Sequence, residues 1–431
     1  MEAILGGKCP AILIIFCATG FFSLTNAQNS YTLDDCYRHA LGGSMVTQQR
    51  ELIAQAEERT VQARSALLPR LETVLSYSQQ ESDSTLIEDE NTSGRIGIRQ
   101  PLFGGFGDWA AIEQSRYNGS AAKAAFRQTE LRLFLDTAQA YYNILIYEKN
   151  IINYRKEIAS YTKRKKELQR LKNQARAKES DLIAVDSAIA SFEAAIAQTM
   201  GSQSSAREQL TYITGLPSSI PLRDGEELPP QLGDLDLWND KIDEHPQVLN
   251  ANLNYLAAQE YVKVAQAEYY PSVVLTGDYY YIRPDSLTAA DWNIGLSVTL
   301  PLYTGGNTTS LVREAEALSR QQRSAVDNAR QSVRQEINTL YIIVQAELEQ
   351  VRLLEKAVTL SNKSYQLLLR DNQTGLATNL EVLQSLASLY QSVRAFDQAR
   401  LTAAHNHTRL RAVTGRRSTG NGQASERQAQ N

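Results

Sequence analysis

The chain contains few of the residues that support disulfides or metal sites. Its 431 residues include three cysteines and four histidines. Cys9 and Cys17 lie in an apolar N-terminal segment, so Cys36 is the single cysteine once that segment is removed, and no internal disulfide can then form. The two closest histidines, His405 and His407, are two residues apart on a helical pattern and point to different sides. A metal site is therefore not predicted.

Several motifs of enzymes and nucleic-acid-binding proteins are also missing. The sequence has no phosphate-binding loop, no zinc-protease motif and no nucleophile elbow. No catalytic or cofactor-binding residue is therefore predicted, and the chain is not expected to be an enzyme. The formal net charge is −4 at pH 7, which gives no strong attraction to nucleic acid. We interpret the basic run Lys163–Lys166 as a solvated helix face.

Residues 1–27 have the pattern of a secretory signal peptide. An apolar core runs from Ala11 to Leu24, and Thr25–Ala27 is an acceptable cleavage site. The apolar run is shorter than the ~20 residues of a spanning helix, so cleavage is favoured over a membrane anchor. A lipid anchor at Cys17 is disfavoured because the bulky Phe16 precedes it. Beyond the leader, no segment is predicted to span a membrane as a helix.

Glycine and proline are sparse, and their positions mark a repeat. An alternating segment that follows Pro69 ends at Pro101–Gly105 (PLFGG), and one that follows Pro271 ends at Pro301–Gly306 (PLYTGG). Each segment lies between a medium helical pattern and a very long one. The sequence therefore predicts a tandem duplication of helix, β-hairpin, long helix, turn and helix.

The ends of the two repeats also match, which sets the predicted domain limits. Tyr212–Gly215 recurs as Ala412–Gly415, with Thr-Gly in both copies. We assign 28–214 to the first repeat, 215–245 to a proline-rich connector, 246–415 to the second repeat and 416–431 to a polar, disordered tail.

The alternating segments are predicted to be membrane-spanning strands. In Trp292–Leu300, every second residue is apolar and the others are polar or glycine. Each segment has about the ~9–11 residues that a tilted strand needs to cross a bilayer. The aromatic residues placed near the strand ends, at the lipid–water interface, are Phe103, Tyr279, Trp292 and Tyr303. A soluble hairpin with one buried face is the alternative.

The long helical patterns are predicted near Asp108–Lys172 and Thr308–Arg370. At ~1.5 Å per residue each helix is ~100 Å long, which requires a coiled coil. The second pattern has an apolar seam whose steps average close to 3.5 residues. A shorter helix is predicted to begin at a Thr32 cap and to run to about Leu68, where Pro69 ends it.

Each long helix is predicted to end in a polar turn and to reverse. The two turns are residues 173–180 and 372–379. We expect Ser180 and Thr378 to cap the returning helices, because both carry a side-chain oxygen that can accept from the first backbone amides. Gly375 is expected to adopt the positive φ of a helix stop.

These features, in this order and spacing, resemble the TolC-like outer-membrane efflux proteins. The resemblance covers nearly all of the chain after the leader. It is carried by the duplication, the two Pro-Leu-aromatic motifs, the Thr-Gly endings and Gly375–Leu383 (GLATNLEVL). It implies a mainly α protein with membrane β-structure. Each protomer would add four strands to a twelve-stranded β-barrel shared by a homotrimer, and the duplicated long helices would form a coiled-coil α-barrel.

The resemblance also implies a function and a location. The trimer would lie in the outer membrane of a Gram-negative bacterium, in contact with its lipid, and its helices would extend into the periplasm. It would passively export substrates delivered by an inner-membrane pump or ABC exporter through a periplasmic adaptor protein. A soluble periplasmic coiled-coil adaptor or structural protein is the alternative, and the apolar alternation of Trp292–Leu300 argues against it.

Residue roles are implied only through this resemblance. The residues matching the family's periplasmic gate are Asp181, Glu381 and Gln384. Those matching its adaptor-contact turns are Ala175, Ala177, Ser180, Gly375, Leu376 and Thr378. Gln384 stands where relatives often carry a carboxylate, so any second ring there would be neutral. Asp181 and Glu381 are alternatively solvated residues near helix N-termini, which favour negative charge.

Overall fold

A computed structural model of the chain describes residues 30–80, 89–174, 177–225, 227–282 and 291–416. Three sequence predictions lie wholly or mostly outside these ranges. They are the signal peptide, the adaptor-contact role of Ala175 and the polar tail.

The helices and strands follow one another in the predicted order. They are α1 (Leu33–Ala40), α2 (Ser44–Ser65), β1 (Arg70–Gln80), β2 (Asp89–Gly104), α3 (Gly107–Asn173), α4 (Glu179–Thr214), α5 (Leu235–Asn239), α6 (Pro246–Ala267), β3 (Ser272–Ile282), β4 (Trp292–Thr299), α7 (Asn307–Thr374) and α8 (Asn379–Val413). A short 3₁₀ helix, Ile242–Glu244, lies between α5 and α6. A hairpin and a long helix pair therefore occur twice.

The long helices form the body of the molecule, as predicted. α3 and α7 have 67 and 68 residues, and the returning α4 and α8 have 36 and 35. In the half next to the sheet, α6 packs between α3 and α7; in the other half, α4 packs on α3 while α8 packs on both long helices. The α7 seam is buried from Val326 to Val344 and half-buried from Leu348 to Leu368.

The segment before the first hairpin differs from the prediction, because it is two helices instead of one. α1 ends at Ala40, and α2 begins after Gly43, whose backbone is extended with φ −73° and ψ 164°. Two consecutive glycines interrupt the helix because glycine has low helix propensity. The predicted cap is confirmed: Thr32 Oγ1 accepts from the Asp35 amide at 3.2 Å, and the Thr32 amide donates to Asp35 Oδ2 at 3.0 Å.

The four strands form one antiparallel sheet in the order β1-β2-β3-β4. Cross-strand partners lie on the same face of a sheet. One face carries rows such as Leu71, Ile98, Gly277 and Ile294, followed by Thr73, Ile96, Tyr279 and Trp292. Large apolar side chains on this face are exposed, among them Leu71, Leu75, Ile294 and Leu296. The predicted alternation is therefore confirmed.

The opposite face of the sheet is mainly polar, although Val74 and Val274 also lie on it. One of its rows contains Glu72, Gly97, Asp278 and Asn293. Arg95 Nη1 lies 2.7 Å from Asp278 Oδ1, which makes an ion pair on this face. Outer strands β1 and β4 have no strand partner on their free sides within the described chain.

A compact core forms where α1 and the connector meet α3. Tyr31 and Leu222 make a parallel bridge, and the Tyr141 hydroxyl donates to the carbonyls of Tyr31 and Arg223. Cys36 is fully buried in this core. Burial raises the pKa of the Cys36 thiol to about 12, so the thiol stays protonated and packs as a small apolar group.

The prediction that no segment after the leader could span a membrane as a helix is wrong for α4. Among the described residues, α4 is the one helix with the length and composition to do so, with a mean hydropathy of 1.2 over its best window. Its apolarity comes mainly from alanine and isoleucine. Because α4 lies along α3, we place it in the helical body.

A glycine-to-alanine substitution is predicted to destabilise the two hairpin-to-helix junctions by different amounts. Gly105 and Gly305 have φ of 62° and 63°, so alanine is strained at either position by about 1–2 kcal/mol. Only at Gly105 would a Cβ also lie 2.5 Å from a backbone oxygen, that of Ala267. We expect Gly105→Ala to lower the thermal unfolding temperature in detergent further than Gly305→Ala, measured by circular dichroism. Equal losses would contradict this account.

Candidate functional site

The two polar turns lie side by side at the end of the helical body that is far from the sheet. They enclose a cleft of about 1010 Å³, lined by residues of both repeats. Its walls include Arg164 and Arg170 of α3, Asp181 of α4, and Asn372 and Asn379 of the second repeat. The duplication therefore brings two equivalent turns together at one site.

Arg164 connects α3 to the second turn. The interpretation of Lys163–Lys166 as a solvated helix face is therefore wrong for this residue. Its side chain is only 5% exposed and forms an ion pair with Glu167 at 3.0 Å. Its guanidinium donates to Oδ1 of Asn372 at 2.5 Å and to Oδ1 of Asn379. Arg164 is buried because it lies three residues after the buried Tyr161, on the packed face of α3.

Asp181, a predicted gate residue, contacts the second repeat through Asn379. The Asn379 Nδ2 donates to Asp181 Oδ2 at 3.1 Å. Asn372 also fixes its own turn, since its Nδ2 donates to the carbonyl of Ala377 at 2.8 Å. We call Arg164, Asp181, Asn372 and Asn379 the tip network. Asn379 was predicted only as part of the second turn, and the local signal for its role is its place directly after the cap residue Thr378.

Glu381 is held at the start of α8. Thr378 and Glu381 form a capping box: Glu381 Oε2 accepts from the amide and hydroxyl of Thr378 at 2.7 and 2.8 Å, and Thr378 Oγ1 accepts from the Glu381 amide at 3.3 Å. The prediction that Thr378 caps α8 is confirmed. The hydrogen bond from the Thr378 amide lowers the pKa of Glu381, so its carboxylate is ionised at neutral pH.

Helix α4, which follows the first turn, has no side-chain cap of the kind that Thr378 gives α8. The prediction that Ser180 caps α4 is wrong. α4 begins at Glu179 after Lys178, which has an extended backbone and makes no side-chain cap hydrogen bond. Ser180 lies in the first turn of the helix instead. The acidic residues Glu179 and Asp181 lie in this first turn, where negative charge is favoured. Glu179 also forms an ion pair with Lys172 across the turn.

The remaining predicted turn residues differ in exposure. Gly375 has φ 85°, as predicted for a helix stop, and the Leu376 amide donates to the carbonyl of Asp371 at 2.8 Å. The Leu376 side chain is 83% exposed. Gln384 is exposed one turn along α8, whereas Ala177 is half-buried between the helices. Leu376 is therefore the apolar residue that the second turn presents to solvent.

A buried polar layer lies above the turns and was missed by sequence reasoning. Glu157 of α3 is buried and forms an ion pair with Arg394 of α8, whose guanidinium lies 4.8 Å from the centre of the Tyr154 ring. Burial raises the pKa of Glu157, and the charge of Arg394 acts in the opposite direction. Nearby, Asn153 donates to Asp397 at 2.7 Å. These contacts depend on which helices are neighbours, and no local motif carries that information.

The predicted interface aromatics lie at both ends of the sheet. Tyr279 is directly opposite Trp292 near the hairpin tips. At the helical end, the Phe103 ring packs edge-to-face on Phe106 with centroids 5.1 Å apart. Tyr303 also lies at that end and is 91% exposed.

An antiparallel sheet with one apolar face, joined to helices of about 100 Å, defines the protomer of an outer-membrane channel. The family model described as outer membrane efflux protein matches residues 46–216 and 237–416, and the chain belongs to this family. It is an efflux channel of the Gram-negative outer membrane. Its relatives are channels, not enzymes.

Named relatives and solved structures agree with this assignment. TolC of Vibrio cholerae serotype O1 is 24% identical over 420 residues, covering 94% of this chain and 95% of the relative. TolC of Escherichia coli K12 is 26% identical over 441 residues, covering 95% and 86%. The structure of VceC from Vibrio cholerae shares the fold with a TM-score of 0.78 and 20% identity, covering 89% of this chain and 96% of VceC. The structure of CusC shares it with a TM-score of 0.80 and 17% identity, covering 89% of this chain and 91% of CusC.

The capping box predicts that two substitutions at Glu381 have different effects. Glu381→Gln should keep the start of α8, because glutamine also closes a capping box. Glu381→Ala should lower the apparent unfolding temperature, because the Thr378 amide loses its partner. Circular dichroism melting of both variants checks this expectation. Equal temperatures for the two variants would show that the capping box adds no measurable stability.

Proposed function

We propose that three copies of this chain form a closed channel. The free edges of β1 and β4 carry the argument. Within hydrocarbon no water satisfies unpaired backbone N–H and C=O groups, so a sheet with open edges does not occur there. If β4 of one copy pairs with β1 of the next, three four-stranded sheets close into a twelve-stranded barrel.

The two faces of the sheet support an orientation in the bilayer. The apolar face, with Leu71, Ile294 and Leu296, would meet lipid, and the face with Arg95 and Asp278 would line the lumen. The rings that would lie at the two membrane interfaces are Tyr279 and Trp292 near the tips, and Phe103 and Tyr303 near the helices.

Neighbouring copies would also cover the exposed sides of the helices. α4 packs on α3 and leaves apolar side chains exposed, among them Ile183 and Met200. The half-buried seam of α7 beyond Leu348 lacks the second neighbour that α6 supplies closer to the sheet. Packing α4 of one copy against α7 of the next would bury both surfaces and continue the helical tunnel.

We place the periplasmic gate at the tip network. Its hydrogen bonds hold the two turns of one copy together, so widening the tunnel there requires them to break. Threefold symmetry would arrange Asp181 and Glu381 in rings that attract cations, whereas Gln384 would add no charge. The lowered pKa of Glu381 keeps that ring charged.

The same end of the molecule is the proposed contact for a periplasmic adaptor. The residues assigned to this contact are Ala175, Ala177, Ser180, Gly375, Leu376 and Thr378. The exposed Leu376 and Leu380 support it, because together they present apolar surface beside polar turns. An inner-membrane pump or ABC exporter, joined through the adaptor, would supply the energy for passive export through the channel.

The assembly is tested by cross-linking and by conductance. Purified protein treated with a lysine-reactive cross-linker is expected to give a trimer, and the same preparation should give stable single-channel currents in planar bilayers. A monomer that never inserts would reject the closed channel and support the soluble adaptor.

The gate predicts that Arg164→Ala opens the channel. Hydrogen bonds to charged groups contribute about 1.5–3 kcal/mol each, so losing those of Arg164 should raise open-state occupancy about tenfold or more. Lys163→Ala is the matched control, because it removes a neighbouring exposed cation that makes no ion pair within the described chain. Single-channel recording and circular dichroism report occupancy and folding. A folded Arg164→Ala trimer with parental occupancy would contradict this gate.

A further inference from the structure

We propose that Arg70 and Arg99 form an oxyanion-binding site on the polar face of the sheet. The site would favour passage of substrates that carry carboxylate, phosphate or sulfate groups. The inference rests on the proposed channel, because this face lines a lumen only if the barrel closes.

The two arginines are direct cross-strand partners. Arg70 of β1 lies opposite Arg99 of β2 in the register of the sheet. Directly opposed residues have Cβ atoms about 4.5–5.5 Å apart, and like charges in this arrangement are destabilising. Both side chains are exposed, and neither makes a hydrogen bond or ion pair within the described chain. The sheet therefore holds two adjacent guanidinium groups without a counter-charge between them.

The register shows which side of the sheet carries this pair. The next row, Leu71 with Ile98 and Ile294, lies on the apolar face that meets lipid in the channel. Side chains alternate between faces along a strand, so Arg70 and Arg99 lie on the lumen face. Their row continues through Thr276 and Gly295, which are small and leave space beside the guanidinium groups.

The remaining charges on the described lumen face do not neutralise the pair. Arg95 is already paired with Asp278 at 2.7 Å. Glu72, two residues from Arg70, is the one carboxylate near the pair among the described side chains of this face, and it is within 4 Å of the Cβ position of Gly97. Asp89 and Asp291 lie at the other end of the strands. The two arginines and Glu72 therefore leave a local charge of +1 at this end of the sheet on each copy. A bound oxyanion would compensate it.

The position and chemistry of the pair suit transported anions. Arg70 is the first residue of β1, and β2 ends at Gly104, just before α3 begins. The pair therefore lies where the helical tunnel would open into the barrel. Guanidinium groups bind carboxylate and phosphate oxygens with two parallel hydrogen bonds, which an ammonium group cannot do.

Three variants of the full-length trimer test this site in planar bilayers. The double variant Arg70→Gln/Arg99→Gln removes the charge, and Arg70→Lys/Arg99→Lys keeps the charge but loses the bidentate geometry. Arg64→Gln is the matched control, because Arg64 is an exposed arginine on α2, outside the sheet. Reversal potentials in a KCl gradient give the chloride-to-potassium permeability ratio. Inorganic phosphate, added at constant chloride, probes binding through its reduction of the current.

The glutamine double variant is expected to lower the permeability ratio at least about twofold, since charged rings set the selectivity of pores. It should also abolish the block by phosphate. The lysine variant should keep the ratio and lose most of the block. The glutamine variant should melt no lower than the parent, because removing opposed like charges relieves repulsion. The control should match the parent in every measurement.

The outcomes separate this inference from the proposed function. Trimers that conduct normally, with an unchanged ratio and unchanged phosphate block in the glutamine variant, would overturn the oxyanion site and leave the channel intact. Equal phosphate block in the lysine and parent proteins would reject bidentate recognition. Parental protein that forms neither trimers nor channels would overturn the proposed channel and the site together.

Discussion

Backbone hydrogen bonding in hydrocarbon is the constraint on which the rest of this structure depends. Two hairpins give four strands, and their outer edges need partners that the described chain does not contain. In the proposed trimer, the duplication places two hairpins in one chain, where they pair with each other. Pairing between symmetry-related copies then satisfies the outer strands. In that trimer the long helices would continue the wall of the barrel into the periplasm.

The helical body combines an apolar packing surface with polar contacts at selected levels. The α7 seam is fully buried where the connector, α6 and the end of α8 pack against it, and it becomes half-buried where the tunnel would need a second copy. Polar groups interrupt this packing at the Glu157–Arg394 layer and at the tip network. Buried ion pairs add little net stability compared with apolar packing, but breaking one partner is costly. Such layers therefore fix which helices are neighbours.

Features coded within a few residues could be predicted from the sequence. The capping boxes at Thr32 and Thr378, the positive φ of Gly375 and the alternation of Trp292–Leu300 each depend on local chemistry, and the structure has all of them. The apolar seam of α7 was also predicted correctly, but polar contacts between neighbouring helices were mispredicted or not predicted. Arg164 is buried only because the second repeat packs beside it, and Asn379 gains its role only by meeting Asp181. The N-cap of α4 is Lys178, two residues before the predicted Ser180.

Cys36 has a practical consequence for studying motion in this protein. Its thiol is fully buried, and the raised pKa, about 12, keeps it from reacting as a thiolate at neutral pH. Beyond the predicted leader, the sequence contains no other cysteine. A cysteine introduced at an exposed turn would therefore carry a spin label or fluorophore without background from the native residue. Distances between labels on the three copies of the proposed trimer would then report the width of the tunnel in a membrane.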